Sequence, residues 1–505
     1  MREGLPKRDR LARTRKELFP DFSAFIEEID KNGITPELLY KIIQKHRPNA
    51  RYNKMLYDRY MAIYEGVDID KRLPRFAEEN PINNKVNNDF MGEIVNFKVG
   101  YFAGEPHSYS YADTEEAEAV TGGEKAVDNA TKVLTDFVTR NNMFGIDMKT
   151  TLYASVYGYA GRLFYIDDEK TERVMPIHGF EVIPLSNKSI AEPKYSLWYR
   201  QVEDINGSKS WSVEFYDDKF VHFYKGELSD LEFVEKKLHM YDYCPLQGIA
   251  NNDECMGDAE KVLPLINDYD KVFSDNSNEI EQFVHALLVT SMLGEEKQVE
   301  EIIRKAQVGG ALNVPPVGNQ ATTEPIKWAT KNINDAFTEH HIQRAEDNIY
   351  RFSRTPNLSD ESFGTASGVS LKFKLHGLET KCAAYEANVM DAAQHMWRVL
   401  CSSWNRRGNR IDPLQIVIEF HRNFPQDDVA KAQAAQAEIA AGVPKRHAFR
   451  HITDDVDYLM DMLETEQEDA MALFEAAQTA AGTADEEEEE NKASAPAFAQ
   501  GTHKE

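Results

Sequence analysis

Apolar residues in the first half of the chain recur first at helical spacing and then at strand spacing. Residues 22–46, 83–98 and 124–144 carry apolar side chains three or four positions apart, the period of an amphipathic helix. Between 150 and 225 the pattern alternates, and the runs YSLWYRQV, WSVEFY and KFVHFYK are separated by polar turns. This region predicts an antiparallel meander with a type I′-like turn at Asn206-Gly207. The first half is therefore predicted to be α+β.

The second half opens with a long apolar seam. From Gly257 to Thr290 the apolar positions alternate in steps of three and four, which is typical of a heptad-like helix. At 1.5 Å per residue the predicted helix is longer than about 40 Å. The seam residues are Val262, Ile266, Tyr269, Phe273, Ile280, Phe283 and Leu287.

The remainder is also predicted to be mainly helical. A loop-rich stretch with two consecutive prolines follows the seam, and several amphipathic or Ala-rich segments come after it. The predicted elements are a loop at 309–327, a helix at 332–353, a long helix from about 366 to 405 that Gly377 kinks, a strand at 414–420, and helices at 427–441 and 453–478.

The stretch DESFGTASGVSLKFKLHGLE, residues 360–379, joins a run of small residues to a helical pattern. Gly-rich loops before helices often bind phosphate, but a P-loop needs Lys after its second Gly, where Val369 stands here. A nucleophile elbow needs its Ser two residues after the first Gly, and Ser367 is one position late. The remaining interpretation is a flexible loop of small residues, followed by a helix that Ser or Thr caps.

Composition narrows the function classes. The 505 residues carry a net charge of −27, and residues 454–490 hold fifteen acidic residues and no Lys or Arg. An acidic protein is a poor static binder of duplex DNA, although it could surround DNA without gripping it. No apolar run reaches 18 residues, which predicts no membrane span. Four cysteines without a Cys-x-x-Cys pair suggest a reducing compartment.

Candidate catalytic and metal-binding residues are few. His239 and the pair His340-His341 are isolated from partners at ligand spacing. Carboxylates at 275, 279 and 281 could coordinate a divalent ion between subunits, but a solvated helix face is the favoured interpretation. Residue order alone supports no Ser-His-Asp, Cys-His or paired-carboxylate site. The sequence therefore predicts no catalytic residue, no metal and no cofactor.

Four stretches together resemble the portal protein of tailed bacteriophages of the siphophage branch. They are NNKVNNDFMGEIVNFKVGYFAGEP at 83–106, MGDAEKVLPLINDYDKVFSDNSNEIEQFVHALL at 256–288, TPNLSDESFGTASGVSLKFKLHGLETK at 355–381 and IEFHRNFPQDDVAKA at 418–432. Their order and spacing match the family, and together they span most of residues 80–475.

The resemblance implies a homo-oligomeric ring, usually of about twelve subunits, at one vertex of the capsid. Such a ring seeds head assembly with the major capsid and scaffolding proteins, and passes double-stranded DNA during packaging and ejection. It docks the large subunit of terminase and later the head–tail adaptor. The resemblance further implies a virion protein that is in the host cytoplasm during assembly, with no enzymatic activity and no membrane partner.

The same resemblance divides the chain into the regions of a portal fold, an α+β and mainly helical architecture. The implied regions are an N-terminal part of the wing at 1–256, stem helix one at 257–285, a clip at 286–331, stem helix two at 332–353, a tunnel loop at 354–365, a tunnel helix and return to the wing at 366–425, a crown at 426–480 and a disordered acidic tail at 481–505.

Residues near the implied tunnel loop are the candidate DNA-channel residues. They are Thr355, Asn357, Ser359, Asp360, Glu361, Ser362, Gly364, Thr365, Ser367 and Gly368. Lys372 and Lys374 could touch the DNA backbone, or pair with Asp360 and Glu361 of a neighbouring subunit, which is the favoured hypothesis.

Two other functions stay open at this level. One is an intracellular hydrolase with a site built from dispersed residues, for example a metal-dependent one. The other is a different helical component of the phage head or tail, although adaptors are much shorter chains. A ring-sized mass without turnover would favour the portal.

Overall fold

A computed structural model describes residues 20–64, 66–73, 82–283, 287–290, 311–313, 326–329, 335–357, 368–423 and 428–451, together with 460 and 462. The chain divides into two compact units, 1–366 with 370–424 and 367–369 with 425–505. Most of the predicted crown, the predicted acidic tail and all but three short strands of the predicted clip lie outside the described residues. None of the described helices is long and apolar enough to cross a membrane.

Helices dominate the described part of the chain, and strands form a substantial minority, so the predicted mixture of helix and strand is confirmed. The helices are α1 Ser23–Asn32, α2 Pro36–Tyr60, α3 Phe90–Ala103, α4 Glu115–Thr121, α5 Glu124–Asn141, α6 Met143–Tyr157, α7 Leu263–Phe283, α8 Asp335–Ser353, α9 Gly368–Arg406, α10 Asp428–Ala440 and α11 Lys445–Ala448. Short 3-10 turns lie at Ile69–Lys71, Gly179–Glu181, Glu260–Val262, Pro413–Gln415 and Phe449–His451.

The strands of the described residues form four sheets. Their bounds are β1 Ser108–Tyr111, β2 Tyr159–Ile166, β3 Glu172–Ile177, β4 Val182–Leu185, β5 Tyr195–Glu203, β6 Lys209–Tyr216, β7 Phe220–Glu227, β8 Asp230–Leu238, β9 Leu246–Ala250, β10 Leu287–Thr290, β11 Ala311–Asn313, β12 Ile326–Ala329 and β13 Ile416–Glu419. The largest sheet is an antiparallel meander in the order β4-β5-β6-β7-β8, which confirms the predicted meander. The smaller sheets are β3-β2-β9, β11-β10-β12 and β1-β13.

Helices α1 and α2 cover one face of the meander. Ile42 and Ile43 of α2 pack in one buried cluster with Leu197 and Phe215 of the sheet. His46 lies in the same contact and is fully buried. Its ring nitrogens lie 2.8 Å from the hydroxyl of Tyr199 and 2.9 Å from that of Tyr159, and burial lowers its pKa to about 3. A neutral histidine therefore links α2 to two separate sheets.

The long helix α9 forms the centre of another core. Its residues Trp397 and Trp404 pack edge to face against Phe137 of α5. Ile416 of β13 belongs to the same buried cluster, and β13 pairs antiparallel with β1. The predicted strand at 414–420 is thus confirmed, with its first two residues in a 3-10 turn. The sequence did not predict its partner β1.

Several predicted boundaries are wrong. The helix predicted over 83–98 begins at Phe90, and residues 82–89 are not helical. Residues 150–157, predicted as part of the meander, belong to α6. The hairpin turn is not type I′, because Gly207 has a positive φ of 82° but Asn206 does not. A hydrogen bond of 3.0 Å from the Gly207 N–H to the Asp204 carbonyl closes it instead.

The predicted helix from 257 to 290 is shorter at both ends. Its helical core is α7, whose 21 residues give about 31 Å rather than more than 40 Å. A 3-10 turn precedes α7, and residues 287–290 form strand β10. Helices α8, at Asp335–Ser353, and α9, at Gly368–Arg406, lie within the predicted 332–353 and close to the predicted 366–405. Helix α9 is continuous through Gly377.

A substitution at Gly158 tests the close approach between the α6–β2 connection and the backbone at Cys255. It joins α6 to β2 with a φ of +98°, and a Cβ atom there would overlap the carbonyl of Cys255. We expect Gly158→Ala to destabilise the protein by several kcal/mol more than the about 1–2 kcal/mol that a left-handed conformation alone costs an L-residue. Urea unfolding monitored by tryptophan fluorescence would measure the difference.

Gly408→Ala is the matched control. Gly408 has a φ of +94° with open space around the Cβ position, so its substitution should cost the conformational part alone. Equal losses of stability in the two variants would show that the backbone contact at Gly158 is unimportant.

Candidate channel-forming region

Helices α7 and α8 pack on each other and on the core that contains α3 and α6. Ile266 and Tyr269 of α7 and Ile349 of α8 are members of one buried cluster with Ile94 of α3. The hydroxyl of Tyr350 donates a 2.8 Å hydrogen bond to Glu93, which fixes α8 against α3. The two predicted stem helices therefore form a pair that is rooted in the body of the protein.

The predicted seam of α7 has two different halves. Val262, Ile266 and Tyr269 are buried in the core. Phe273 is 37% exposed and Ile280 is 65% exposed, so the described residues leave the outer half of the seam partly uncovered. The side chains of Phe283 and Leu287 lie outside the described residues, and Leu287 belongs to strand β10 rather than to a helix.

Other large apolar side chains of this region are exposed as well. Phe337 and Phe352 of α8 are 70% and 56% exposed, and Phe373 near the start of α9 is 77% exposed. Single exposed apolar residues are common in monomeric proteins, and α7, α8 and the start of α9 together carry several of them. We name Ile280, Phe337, Phe352 and Phe373 the exposed stem residues.

The beginning of the predicted tunnel loop is firmly attached to α8. Arg354 ends the helix in a left-handed conformation with a φ of 57°. The N–H of Thr355 donates to the carbonyl of Tyr350 at 3.1 Å, and the Thr355 side chain is buried. The amide of Asn357 donates to Glu346 at 3.2 Å. The first residues of the predicted loop thus fold back onto the helix.

The structure places few of the other predicted channel residues. Ser359, Asp360, Glu361, Ser362, Gly364, Thr365 and Ser367 lie outside the described residues. Gly368 is the first residue of α9. Lys372 is exposed and Lys374 is half-buried, both in the first turns of α9. The pairing of these lysines with Asp360 and Glu361 of a neighbour stays a prediction.

A group of charges with little exposure to solvent lies at the end of α8. The carboxylate of Asp258, just before α7, is 3.2 Å from the ammonium of Lys98 in α3 and 3.6 Å from that of Lys381 in α9. Lys381 also donates to the carbonyl of Ser353, the last residue of α8, at 3.2 Å. We name Lys98, Asp258 and Lys381 the buried ion cluster. It joins α3, α7, α8 and α9 at one point.

Neighbouring groups compensate the charges of this cluster. Asn251 accepts a hydrogen bond from Lys98, and the Tyr385 ring lies 4.3 Å from the same ammonium, a cation–π distance. Burial lowers the pKa of Lys98, and the nearby Asp258 opposes that shift only in part. Burial alone would raise the pKa of Asp258, but Lys381 and Lys98 lower it below its ordinary value overall. Asp258 is therefore ionised in the folded protein at neutral pH.

The described residues offer little for catalysis. They contain no group of three or more His, Cys, Asp or Glu side chains that could hold a metal ion. Burial raises the pKa of the Cys244 thiol to about 12 and that of Cys382 to about 11, so neither is a thiolate at neutral pH. A shallow cavity of about 370 Å³ is lined in part by Cys401 and Arg406. Burial raises the pKa of Cys401 too, and Arg406 pairs with Asp242.

Comparison with known proteins decides the family. Residues 39–473 match the model of the family described as phage portal protein, SPP1 Gp6-like. The chain belongs to this family. It is 22% identical over 427 residues to the portal protein of Clostridium phage phiCD119, covering 79% of this chain and 88% of that protein. It is also 20% identical over 454 residues to the portal protein of Bacillus phage SPP1, covering 84% of each chain.

Membership in the portal family confirms the resemblance found in the sequence, and the match begins within α2. It therefore includes most of the N-terminal region that covers the meander. Residues of the buried ion cluster escaped prediction, because Lys98, Asp258 and Lys381 are far apart in the chain and form no local motif. The one signal in the sequence was Lys98 itself, a lysine among the mostly apolar residues of α3.

The buried ion cluster predicts a large effect of removing its one negative charge. We expect Asp258→Asn to destabilise the protein by about 3–5 kcal/mol, because the buried Lys98 and the largely buried Lys381 would lose their counter-ion. Urea unfolding at pH 7 would measure this. Asp268→Asn is the matched control. Asp268 lies on α7, is exposed and pairs with His341, so its ion pair should contribute about 1 kcal/mol or less to the free energy of unfolding.

The effect should also depend on pH. Because the folded-state pKa of Asp258 is lowered, its stabilising contribution is complete above the unfolded value near 3.8 and is lost as the pH falls through the folded value. The difference between wild type and Asp258→Asn should therefore shrink below about pH 4. A pH-independent difference, or one no larger than that of Asp268→Asn, would contradict this account.

Proposed function

We propose that this chain assembles into a closed ring at one vertex of a phage capsid, with double-stranded DNA passing through its centre. The chain is in the virion at that vertex, and in the host cytoplasm while heads assemble. Membership in the portal family supports this proposal. So does the portal protein name of both relatives, each of which aligns with more than three quarters of this chain.

The exposed stem residues are the observation that carries the ring. Each large apolar side chain that leaves water contributes about 1.5–3 kcal/mol, so covering several of them favours association. They lie on α7, α8 and α9, the elements assigned to the stem and tunnel. Identical copies that contact one another head to tail close into a ring when the rotation between them closes. The covering surface is therefore that of the next copy.

The regions implied by the sequence have corresponding roles in this proposal. Residues 1–256 and 366–425 form the wing and tunnel helix, α7 and α8 the stem, 286–331 the clip, 354–365 the tunnel loop and 426–480 the crown. The clip docks the large terminase subunit during packaging and the head–tail adaptor afterwards. Assembly begins with the major capsid and scaffolding proteins around the ring.

The channel needs weak contacts with its cargo. Tight binding of phosphates by cations would hold a moving duplex in place, because each neutralised phosphate adds affinity. In the favoured arrangement Lys372 and Lys374 pair with Asp360 and Glu361 of the neighbouring copy, which leaves few uncompensated cations near the DNA. The ring is thus a conduit rather than an enzyme, and the ATPase of the packaging motor is a separate chain.

Electron microscopy tests the ring directly. We expect negative-stain images and light scattering of the purified protein to show rings of about twelve subunits. The double variant Ile280→Glu with Phe337→Glu should remain folded but dissociate into smaller species, because two charges would enter the apolar contact. Ile205→Glu is the matched control, since Ile205 is fully exposed at the tip of the β5–β6 hairpin.

Two results would contradict this assignment. Rings that withstand Ile280→Glu with Phe337→Glu would place the contact between copies elsewhere. If the protein stays a monomer even when it is co-expressed with its capsid and scaffolding proteins, the proposal that it forms a ring is wrong.

The tunnel loop can be tested through Gly364 and through Gly368, the first residue of the helix that follows it. Gly364→Pro with Gly368→Pro should leave rings intact and block packaging, since proline restricts a loop that must shift as DNA passes. Counting DNA-filled heads after complementation of a portal-defective phage would measure this. Gly364→Ala with Gly368→Ala is the milder control, and normal filling by the proline variant would refute a mechanical role.

A further inference from the structure

The segment 82–89 lies along helix α7 and is bonded to it at regular intervals. We name this segment the strap. It runs in the opposite direction to α7, and alternate N–H groups of the strap donate to side chains one helical turn apart. The bonds are Asn88 N–H to Asp270 Oδ1 at 2.9 Å, Val86 N–H to Ser274 Oγ at 2.9 Å and Asn84 N–H to Asn278 Oδ1 at 2.6 Å.

This ladder depends on a match between two repeats. Four residues of an α-helix rise about 6 Å, and two residues of an extended chain span about 6.6 Å. Polar acceptors at every fourth position of α7 can therefore meet every second N–H of the strap. The acceptors Asp270, Ser274 and Asn278 are all buried. A buried polar group without a hydrogen-bond partner is destabilising. Shifting the strap along α7 would leave these acceptors without partners, so the bonds fix its register.

Side-chain bonds strengthen the two ends of the ladder. The Asn88 amide donates a second bond to Asp270 at 2.9 Å, and the Asn84 amide donates to Glu281 at 2.6 Å. Beyond Asn88 the chain enters α3 directly, and Asp89 caps that helix by accepting from the Gly92 N–H at 2.9 Å. The strap is therefore anchored in the core through α3.

The outer half of α7 requires such an anchor. Tyr269 is the last residue of α7 in the buried core cluster, and residues beyond it leave the core. The ladder continues for two further turns, to Ser274 and Asn278. On the apolar side of the same turns Phe273 and Ile280 are exposed. The strap holds these turns by directional bonds, and Arg72 adds an ion pair with Asp275.

We propose that Asp270, Ser274 and Asn278 are positioning residues that fasten α7 to the strap and so keep the outer stem in register with α3. The strap is in this way a fixed brace between the body of the protein and the helix that lines or supports the channel. The role in the channel rests on the proposed portal function, whereas the bracing itself does not.

Exchange of backbone amides tests the brace in the full-length protein. We expect Asn278→Leu, which keeps the size but removes the acceptor, to accelerate hydrogen–deuterium exchange in peptides covering 83–88 by about tenfold. Asn278→Asp retains an acceptor oxygen and should restore slow exchange. Ser277→Ala is the matched control, because the Ser277 hydroxyl bonds to the α7 backbone at Phe273 and not to the strap.

Complementation of a portal-defective phage tests the role in the channel. Asn278→Leu should form rings but lose DNA-filled heads, and Asn278→Asp should recover them. Unchanged exchange in Asn278→Leu, or equally fast exchange in Asn278→Asp, would overturn the brace. Fast exchange with normal filling would overturn its role in positioning. Absence of rings in the wild type would instead count against the proposed function, and the exchange result would still decide the brace.

Discussion

The buried carboxylate of Asp258 is the contact on which the arrangement of this region depends. It lies between two ammonium groups from helices that are far apart in sequence, and one of them, Lys381, also holds the last carbonyl of α8. Buried charges are tolerated when each has a partner, and removing one partner is far more costly than removing a surface pair. A single carboxylate therefore sets where α3, α7, α8 and α9 meet. The predicted tunnel loop begins directly after Ser353.

The spacing of apolar residues was enough to predict most helices and strands, because long amphipathic helices and half-buried strands each have a characteristic repeat of apolar positions. It failed where tertiary contacts override local pattern. Val86 stands at helical spacing from Phe90, which suggested one helix over 83–98. The N–H groups of 84, 86 and 88 are instead satisfied by side chains of α7, an alternative that no local pattern could indicate. Asn and Asp disfavour helix interiors, so the run NNKVNND offered a weak signal of this outcome.

The predicted stem shows a second limit of predicting contacts from apolar patterns. Ile266 and Ile280 occupy the same seam and look equivalent in sequence, but one is buried and the other is largely exposed. The difference arises because the core ends near Tyr269, and a repeat in one helix says nothing about where its neighbours stop. An apolar seam that continues past its own core needs another surface to cover it. The sequence thus predicted an apolar seam without revealing that its inner half is buried and its outer half is exposed.

Two classes of contact on α7 differ in a way that suits a conduit. On one side of α7 the strap is held by hydrogen bonds, which are directional and fix the register of the helix within its own chain. On another side the exposed apolar residues face outward, and the hydrophobic effect is non-directional. In the proposed ring, each stem helix would be rigidly attached to its own body. It would contact the next copy through a surface that tolerates small shifts. In the proposed ring, such a division would let neighbouring subunits adjust as a duplex passes, without breaking the structure of any one of them.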